Sequence, residues 1–204
     1  MEYLTIYPSS INERSIEQAV KALRDGEIIL YPTDTLYAVG CNALDNRAIE
    51  RLCALKDINP AKQLLSVVCS DISQASDYAR IDNKAFALLK RALPGPFTFI
   101  LPASTKLPKV FKGRKTVGIR VPDNAIAQAL AEALGNPILS SSVAVNTKYP
   151  EEAANPESLE MHYEGKASLI IDGGEGGIEA STIIDCLDSS APEIIRQGKG
   201  IIEL

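Results

Sequence analysis

Hydrophobic and polar positions switch between two periods along the chain. Residues 3–7 (YLTIY) read as a strand, and residues 13–25 carry Ile16, Ala19, Val20 and Leu23 at helical spacing until Gly26 ends the pattern. EIILY (27–31) and LLSVVC (64–69) are continuous apolar runs, the signature of strands buried on both faces. Residues 46–55 return to the helical period through Ile49, Leu52, Cys53 and Leu55, with Asn46 as the expected cap. Helices are predicted near 71–78 and 82–92, and the Pro94-Gly95-Pro96 cluster then breaks the chain before FTFIL (97–101). Strands at 116–121 and 137–142 flank a helix at 124–134. Residues 150–166 are acidic and loop-like, with room for one short helix, and strands are expected at 168–172, 181–187, 193–196 and 200–203. Alternating β and α segments that run into a β-rich end predict an α/β fold with a mixed sheet. No repeat, low-complexity tract or linker divides the 204 residues, so 1–204 is expected to form a single domain.

Composition narrows the class. At 46% hydrophobic and 23% charged residues, the chain can build a sizeable core and is unlike a disordered one. No apolar run approaches membrane-spanning length, and MEYLTIYPSS lacks the basic-then-apolar order of a secretory leader. A cytoplasmic protein with no membrane partner is therefore expected. Cys41, Cys53, Cys69 and Cys186 form no C-x-x-C pair, and His162 is the only histidine. That pattern predicts small apolar fillers, no disulfide and no protein-bound metal.

Charge changes the picture more. Arg51 to Arg120 holds thirteen Lys/Arg against four Asp/Glu, whereas Pro150 to Glu193 holds eleven acids and one lysine. Lys106, Lys109, Lys112, Arg114, Lys115 and Arg120 follow one another with no acid between them. Such a stretch is a candidate surface for a phosphate-rich partner. Two ordinary solvated surfaces would give the same counts.

Candidate chemistry sits at strand ends. In YPTDTLYAVGCNA (31–43), Thr33 and Thr35 bracket Asp34 just past a strand, where α/β proteins place ligand groups; a local turn capped by these side chains is the structural alternative. LKDINPAKQLLSV (55–67) offers Lys56 and Lys62 as point charges for phosphates, or as solvated surface lysines. NPILSSSVAVN (136–146) puts Ser140 and Ser142 at a strand end without a nucleophile elbow. The glycines of IIDGGEGGIEASTIID (170–185) precede no Lys-Ser/Thr and no helix, so they are neither a phosphate loop nor a dinucleotide fingerprint. Arg120 and Arg196 each lie beside apolar strand residues. Sheltered guanidiniums need anionic partners, either a ligand in a shared cleft or Asp34 and Asp185.

Five segments in order, YPTDTLYAVG (31–40), PGPFTFIL (94–101), TVGIRVP (116–122), STIID (181–185) and IRQG (195–198), resemble the YrdC/YciO-like family over about residues 10–200. The resemblance implies a twisted mixed sheet with flanking helices around an open basic cavity. It also implies threonylcarbamoyl-AMP synthase chemistry, in which threonine, bicarbonate and ATP give threonylcarbamoyl-AMP and pyrophosphate, with Mg²⁺ accompanying ATP, in the service of tRNA modification. By family position Lys56 is catalytic, and Lys56, Lys62, Ser140, Ser142 and Arg196 hold ATP or AMP, while Thr33, Arg120 and Ser181 hold threonine. The family's Lys-x-Arg reads Lys56-Asp57-Ile58 here, its Ser-x-Asn reads Ser142-Val143-Ala144, and a histidine of some synthases is Val67. These departures resemble the YciO branch. The family is also associated with double-stranded RNA, so a non-catalytic binder of double-stranded RNA or tRNA through the same basic stretch is a second reading, and a related adenylate-forming enzyme acting on another amine is a third.

Overall fold

Side-chain caps start most of the helices. Asn12, Asp45, Asp71, Asp82, Asn124 and Asn155 each accept hydrogen bonds from the first-turn amides of the helix that follows. A computed structural model describes residues 1–113 and 115–204, with the Lys112 side chain outside that description. In chain order the elements are β1 (Glu2–Thr5), α1 (Glu13–Arg24), β2 (Ile29–Tyr31), β3 (Ala38–Asn42), α2 (Asn46–Leu55), β4 (Ser66–Val68), α3 (Ile72–Tyr78), α4 (Asn83–Ala92), β5 (Phe97–Pro102), α5 (Lys109–Lys112), β6 (Thr116–Arg120), α6 (Ala125–Leu134) and β7 (Ile138–Ser142). A 3-10 turn (Pro150–Ala153), α7 (Pro156–Tyr163), β8 (Leu169–Asp172), β9 (Thr182–Asp185) and β10 (Glu193–Arg196) complete them.

The described strands form one sheet in the order β1-β8-β2-β3-β7-β4-β6-β5-β9-β10. The pairs β1/β8, β8/β2, β4/β6 and β5/β9 are parallel, and the rest are antiparallel. The molecule is a single α/β domain with a mixed sheet and flanking helices. Side chains alternate between the faces of a strand, so each strand feeds two cores. One face carries Leu30, Val39, Val67, Phe99, Ile119 and Leu139 and packs on α2, α3, α4 and α7. The other carries Ile29, Tyr31, Ala38, Val68, Ile138 and Ile171 beneath α1 and α6.

That second face is covered over only part of its width. Toward β9 its outward positions change to Ser140 on β7, Ser66 on β4 and Gly118 on β6, which the ladders place side by side, with Thr98 of β5 close to Gly118. These residues offer a helix little apolar surface, and burial of a Leu-sized side chain is worth about 1.5–3 kcal/mol. A depression results where the apolar covering ends.

Several expectations need correction. One strand was not among the expected elements: β3 follows the YPTDTL segment and pairs antiparallel with β2. The cap of α2 is Asp45, whose carboxylate accepts from Arg47 N and Ala48 N, and Asn46 is the first helical residue. Residues 150–166 are more helical than their acidity predicted, because Pro150 and Pro156 open a 3-10 turn and α7. No strand forms at 200–203. There the Thr182 hydroxyl and the Gln197 amide hold the Gly200 carbonyl at 2.7 Å each, in place of a ladder. All four cysteines are free and buried. Among the described residues, no helix is long and apolar enough to cross a membrane.

The Asn124 side chain accepts from Ile126 N and Ala127 N and so fixes the start of α6, a helix that covers the Ile29–Ile138 part of the sheet. Replacing it by alanine is expected to destabilise the fold by about 1 kcal/mol, read from the midpoint of urea unfolding.

Candidate functional site

The depression is a cavity of about 280 Å³. Its floor is the row Ser140, Ser66 and Gly118, with Thr98 and Arg120 beside it and Ser181, Ile183 and Arg196 closing the β9–β10 side. Space there depends on Gly118, because a Cβ at that position would lie 2.4 Å from Ser66 Oγ and 3.1 Å from Thr98 Cγ2. Leu52, Ile58, Leu64, Leu65 and Leu139 form an aliphatic wall opposite.

Arg120 ends β6 inside this cavity, its side chain only 6% exposed. Its Nη2 donates to Asp34 Oδ1 and to Thr35 Oγ1, both at 2.9 Å. Asp34 is fixed in turn, since its Oδ2 accepts from Asp123 N at 3.0 Å and its carbonyl accepts from Lys199 Nζ at 2.6 Å. Thr33 donates to the Leu36 carbonyl at 2.7 Å, so in its 3.0 Å contact with Thr35 Oγ1 it acts as acceptor. Arg120 Nε is buried without a partner. Burial depresses the guanidinium pKa, Asp34 opposes that shift, and nearby Arg196 adds to it. Two cations that disfavour each other beside an unused donor make this end of the cavity ready for an anion.

Arg196 reaches in from the edge strand. Its Nη2 and Nε donate to the Ser181 carbonyl at 2.7 and 3.2 Å, and Nη2 also contacts Ser181 Oγ at 3.3 Å. Ser181 Oγ lies 2.8 Å from Thr98 Oγ1. Gly198 lets the chain pass tightly here, because a Cβ would meet the Ala180 carbonyl at 2.3 Å. On the other side the Tyr31 hydroxyl donates to Ser140 Oγ at 2.8 Å, and burial pushes its pKa up to about 12. Lys56 caps the end of α2 and donates from Nζ to the Ser142 carbonyl at 2.8 Å, and burial lowers its pKa.

The structure thus brings Arg120, Arg196, Ser140, Ser142 and Ser181 to one cavity, with Lys56 tied to its rim. Thr33 does not line it; its hydroxyl is engaged in the local turn that supports Thr35 and Arg120. Arg120 has the carboxylate partner named as the structural alternative, Asp34, while Arg196 is held by Ser181 and not by Asp185. Lys62 is exposed on the turn before β4. The expected cationic run from 106 to 120 does not form one face: Arg120 turns inward and Lys106 pairs with Asp77 at 2.5 Å. Lys109 and Lys115 are exposed, whereas Arg114 and the Lys112 side chain lie outside the described residues.

Gly118, Ser66 and Thr98 were not singled out by the sequence reading. The available signal was a single small or polar residue interrupting each apolar strand, as in LLSVVC, FTFIL and TVGIR. The cavity lining has hydroxyls and guanidiniums but no carboxylate, a donor set that does not fit a resident Mg²⁺. Among the described residues no group of three or more His, Cys, Asp or Glu gathers as metal ligands. His162 lines a separate groove with Asn146 and Tyr163 and stands apart from these serines, so no acyl-transfer triad is assembled.

The cavity is basic and hydroxyl-lined on a mixed α/β sheet, and comparison with known proteins gives the family. The chain belongs to the Sua5/YciO/YrdC family, whose model, described as telomere recombination, matches residues 21–198. It is 40% identical over 205 residues to YciO of Escherichia coli strain K12, covering 99% of this chain and 98% of that protein. The crystal structure of E. coli YciO superposes with a TM-score of 0.89 at 39% identity, covering 98% of both chains. The chain is also 36% identical over 193 residues to the threonylcarbamoyl-AMP synthase of Bacillus subtilis, covering 93% of this chain and 55% of the synthase. The structure of Pyrococcus abyssi Sua5 complexed with L-threonine matches with a TM-score of 0.85 at 31% identity, over 97% of this chain and 58% of that one.

Removing the Asp34 carboxylate leaves Arg120 as a buried charge without its counter-ion. Asp34→Ala is expected to cost about 3–5 kcal/mol in chemical unfolding, while Glu179→Ala, at an exposed position, should stay within about 0.5 kcal/mol.

Proposed function

We propose that the cavity binds L-threonine together with the phosphate-bearing end of ATP, and that the protein is a threonylcarbamoyl-AMP synthase-like enzyme. The observation that carries this reading is the buried Arg120 guanidinium, held at one edge by Asp34 and Thr35 with Nε unused, in a cavity shared with Arg196. The relatives named as synthases and the Sua5 structure with bound threonine support the choice of ligand.

Arg120 takes the threonine carboxylate, the group a planar guanidinium fork matches best. Ser181, whose Oγ lies 2.8 Å from Thr98 Oγ1, takes the substrate hydroxyl. The free amine adds to carbon dioxide derived from bicarbonate, losing a proton and giving a carbamate. One carbamate oxygen attacks the α-phosphorus of ATP; that O–P bond forms as the α,β-bridging bond breaks, and its electron pair leaves on pyrophosphate. Lys56, Lys62 and Arg196 supply positive charge to the phosphates, and Ser140 and Ser142 orient them. Placement and charge are what the step requires of the protein. At about 280 Å³ the cavity is just below the ~300–1,000 Å³ of small-molecule sites, so it holds the reacting groups and leaves the nucleoside on the open side. Ile58 and Ala144 stand where the family carries an arginine and an asparagine, which predicts a slower enzyme with weaker nucleotide binding.

Pyrophosphate release from ATP and bicarbonate, with and without threonine, tests this reading. Threonine-dependent release is expected, and Arg196→Ala should reduce it about 10²–10³-fold. Release that ignores threonine, or an Arg196→Ala variant as active as the parent, overturns it. Duplex-RNA binding without any release favours the non-catalytic reading instead.

A further inference from the structure

The cavity has three chemically distinct parts, and one has no role in the reaction above. Its cationic end is Arg120 and Arg196, and its floor is hydroxyl-bearing, but the remaining wall is aliphatic. Leu52, Leu65 and Leu139 are buried beneath that wall, and Ile58 and Leu64 stand half-buried at its mouth. An isoleucine and a leucine kept partly in water at the mouth of a polar cavity are poor neighbours for a triphosphate. They are good neighbours for an apolar group, because burying a methylene against them removes both surfaces from water.

Strand register orders these parts. Arg120 is level with Val68 in the β4–β6 ladder, and the next cavity-facing rung is Ser66, paired with Gly118 and Ser140. Successive rungs on one face are roughly 6.6 Å apart. Leu64 comes two residues before Ser66, on the side away from Arg120. A ligand with its carboxylate on Arg120 therefore spans hydroxyls first and aliphatic side chains second. The substituent that follows the polar middle meets Ile58 and Leu64.

We infer that the cavity takes amphiphilic carboxylates, namely amino acids whose nitrogen carries a short aliphatic acyl group. The carboxylate sits on Arg120, the amide on the serine hydroxyls, and the acyl chain against Ile58 and Leu64. This rests on the reading that Arg120 holds the carboxylate of the amino acid. The acylated nitrogen has given its lone pair to the carbonyl and is no longer a nucleophile. Such compounds are bound rather than turned over, and they compete with the free amino acid.

Calorimetry with L-threonine and its N-acetyl, N-butanoyl and N-hexanoyl derivatives tests the inference. Each added methylene should tighten binding about fourfold, the equivalent of about 0.8 kcal/mol per buried CH₂. Ile58→Ser and Leu64→Ser, each at a partly exposed position, should hold the gain from acetyl to butanoyl below about twofold, since their aliphatic contact is gone. Butanoyl and hexanoyl derivatives that bind no tighter than the acetyl compound overturn the inference, whatever the pyrophosphate assay shows. An acyl series that rises as expected beside an absence of threonine-dependent release overturns the synthase reading and supports this one.

Discussion

Arg120 lies 6% exposed at the end of a central strand, with Asp34 Oδ1 and Thr35 Oγ1 each 2.9 Å from its Nη2. A charge placed there without a partner would cost several kcal/mol, so the surrounding chain must be arranged to meet it. The turn from Thr33 to Leu36 is shaped by that need: Thr33 bonds back to Leu36, Thr35 faces the guanidinium, and Asp34 is clamped by Asp123 N and Lys199 Nζ. The glycine-rich loop after β8 packs on the same turn, and Gly177 N donates to the Thr35 carbonyl at 2.9 Å. A side chain at residue 177 would strike that carbonyl, its Cβ 2.3 Å away. Segments more than a hundred residues apart in sequence are thus drawn together around one cation.

The same ion pair divides the sheet into a structural part and a working part. Toward β1, helices α1 and α6 lie on Ile29, Tyr31, Val68 and Ile138, and the strands are held by ordinary apolar packing. Toward β9, small and hydroxylic residues leave the face open. The opposite face is apolar across both parts, from Leu30 to Ile184. The fold can therefore leave a polar floor partly uncovered while the sheet keeps its anchorage from behind. The unused Arg120 Nε and the unfavourable proximity of Arg196 are conditions that a close-packed core would remove and that a ligand site keeps.

Helices were the legible part of the fold, because their apolar spacing is local. Ile16, Ala19, Val20 and Leu23 are the buried face of α1, as their period required. Strand β3 was not legible: Ala38–Asn42 contains Gly40 and follows a turn-like TDT, and only its pairing with β2 and β7 makes it a strand. The cap of α2 was misplaced by one residue, since Asp45 and Asn46 are both good caps and only the chain's entry angle separates them. For the site, the types of residue could be read but not their company. Asp34 could be named as a partner for Arg120 because few acids adjoin the conspicuous strands. Gly118 and Ser66 form the floor only through the ladder register, which no local pattern encodes. The pairing of Lys106 with Asp77 was equally invisible, as the acid lies outside the basic run that drew attention.

The strand order has a consequence for how the protein is made. β9 sits against β5 and β10 forms the sheet's edge, so Ser181 and Arg196 reach the cavity from strands that follow the rest of the sheet in sequence. Most of the sheet precedes them in sequence, yet the cationic end of the cavity is unfinished until these two strands dock. A nascent chain can bury its hydrophobic face before that point but has no finished cavity in which to sequester a ligand. Completion of the cavity therefore waits on the non-local pairing of β5 with β9, a contact of the kind that forms slowly in folding.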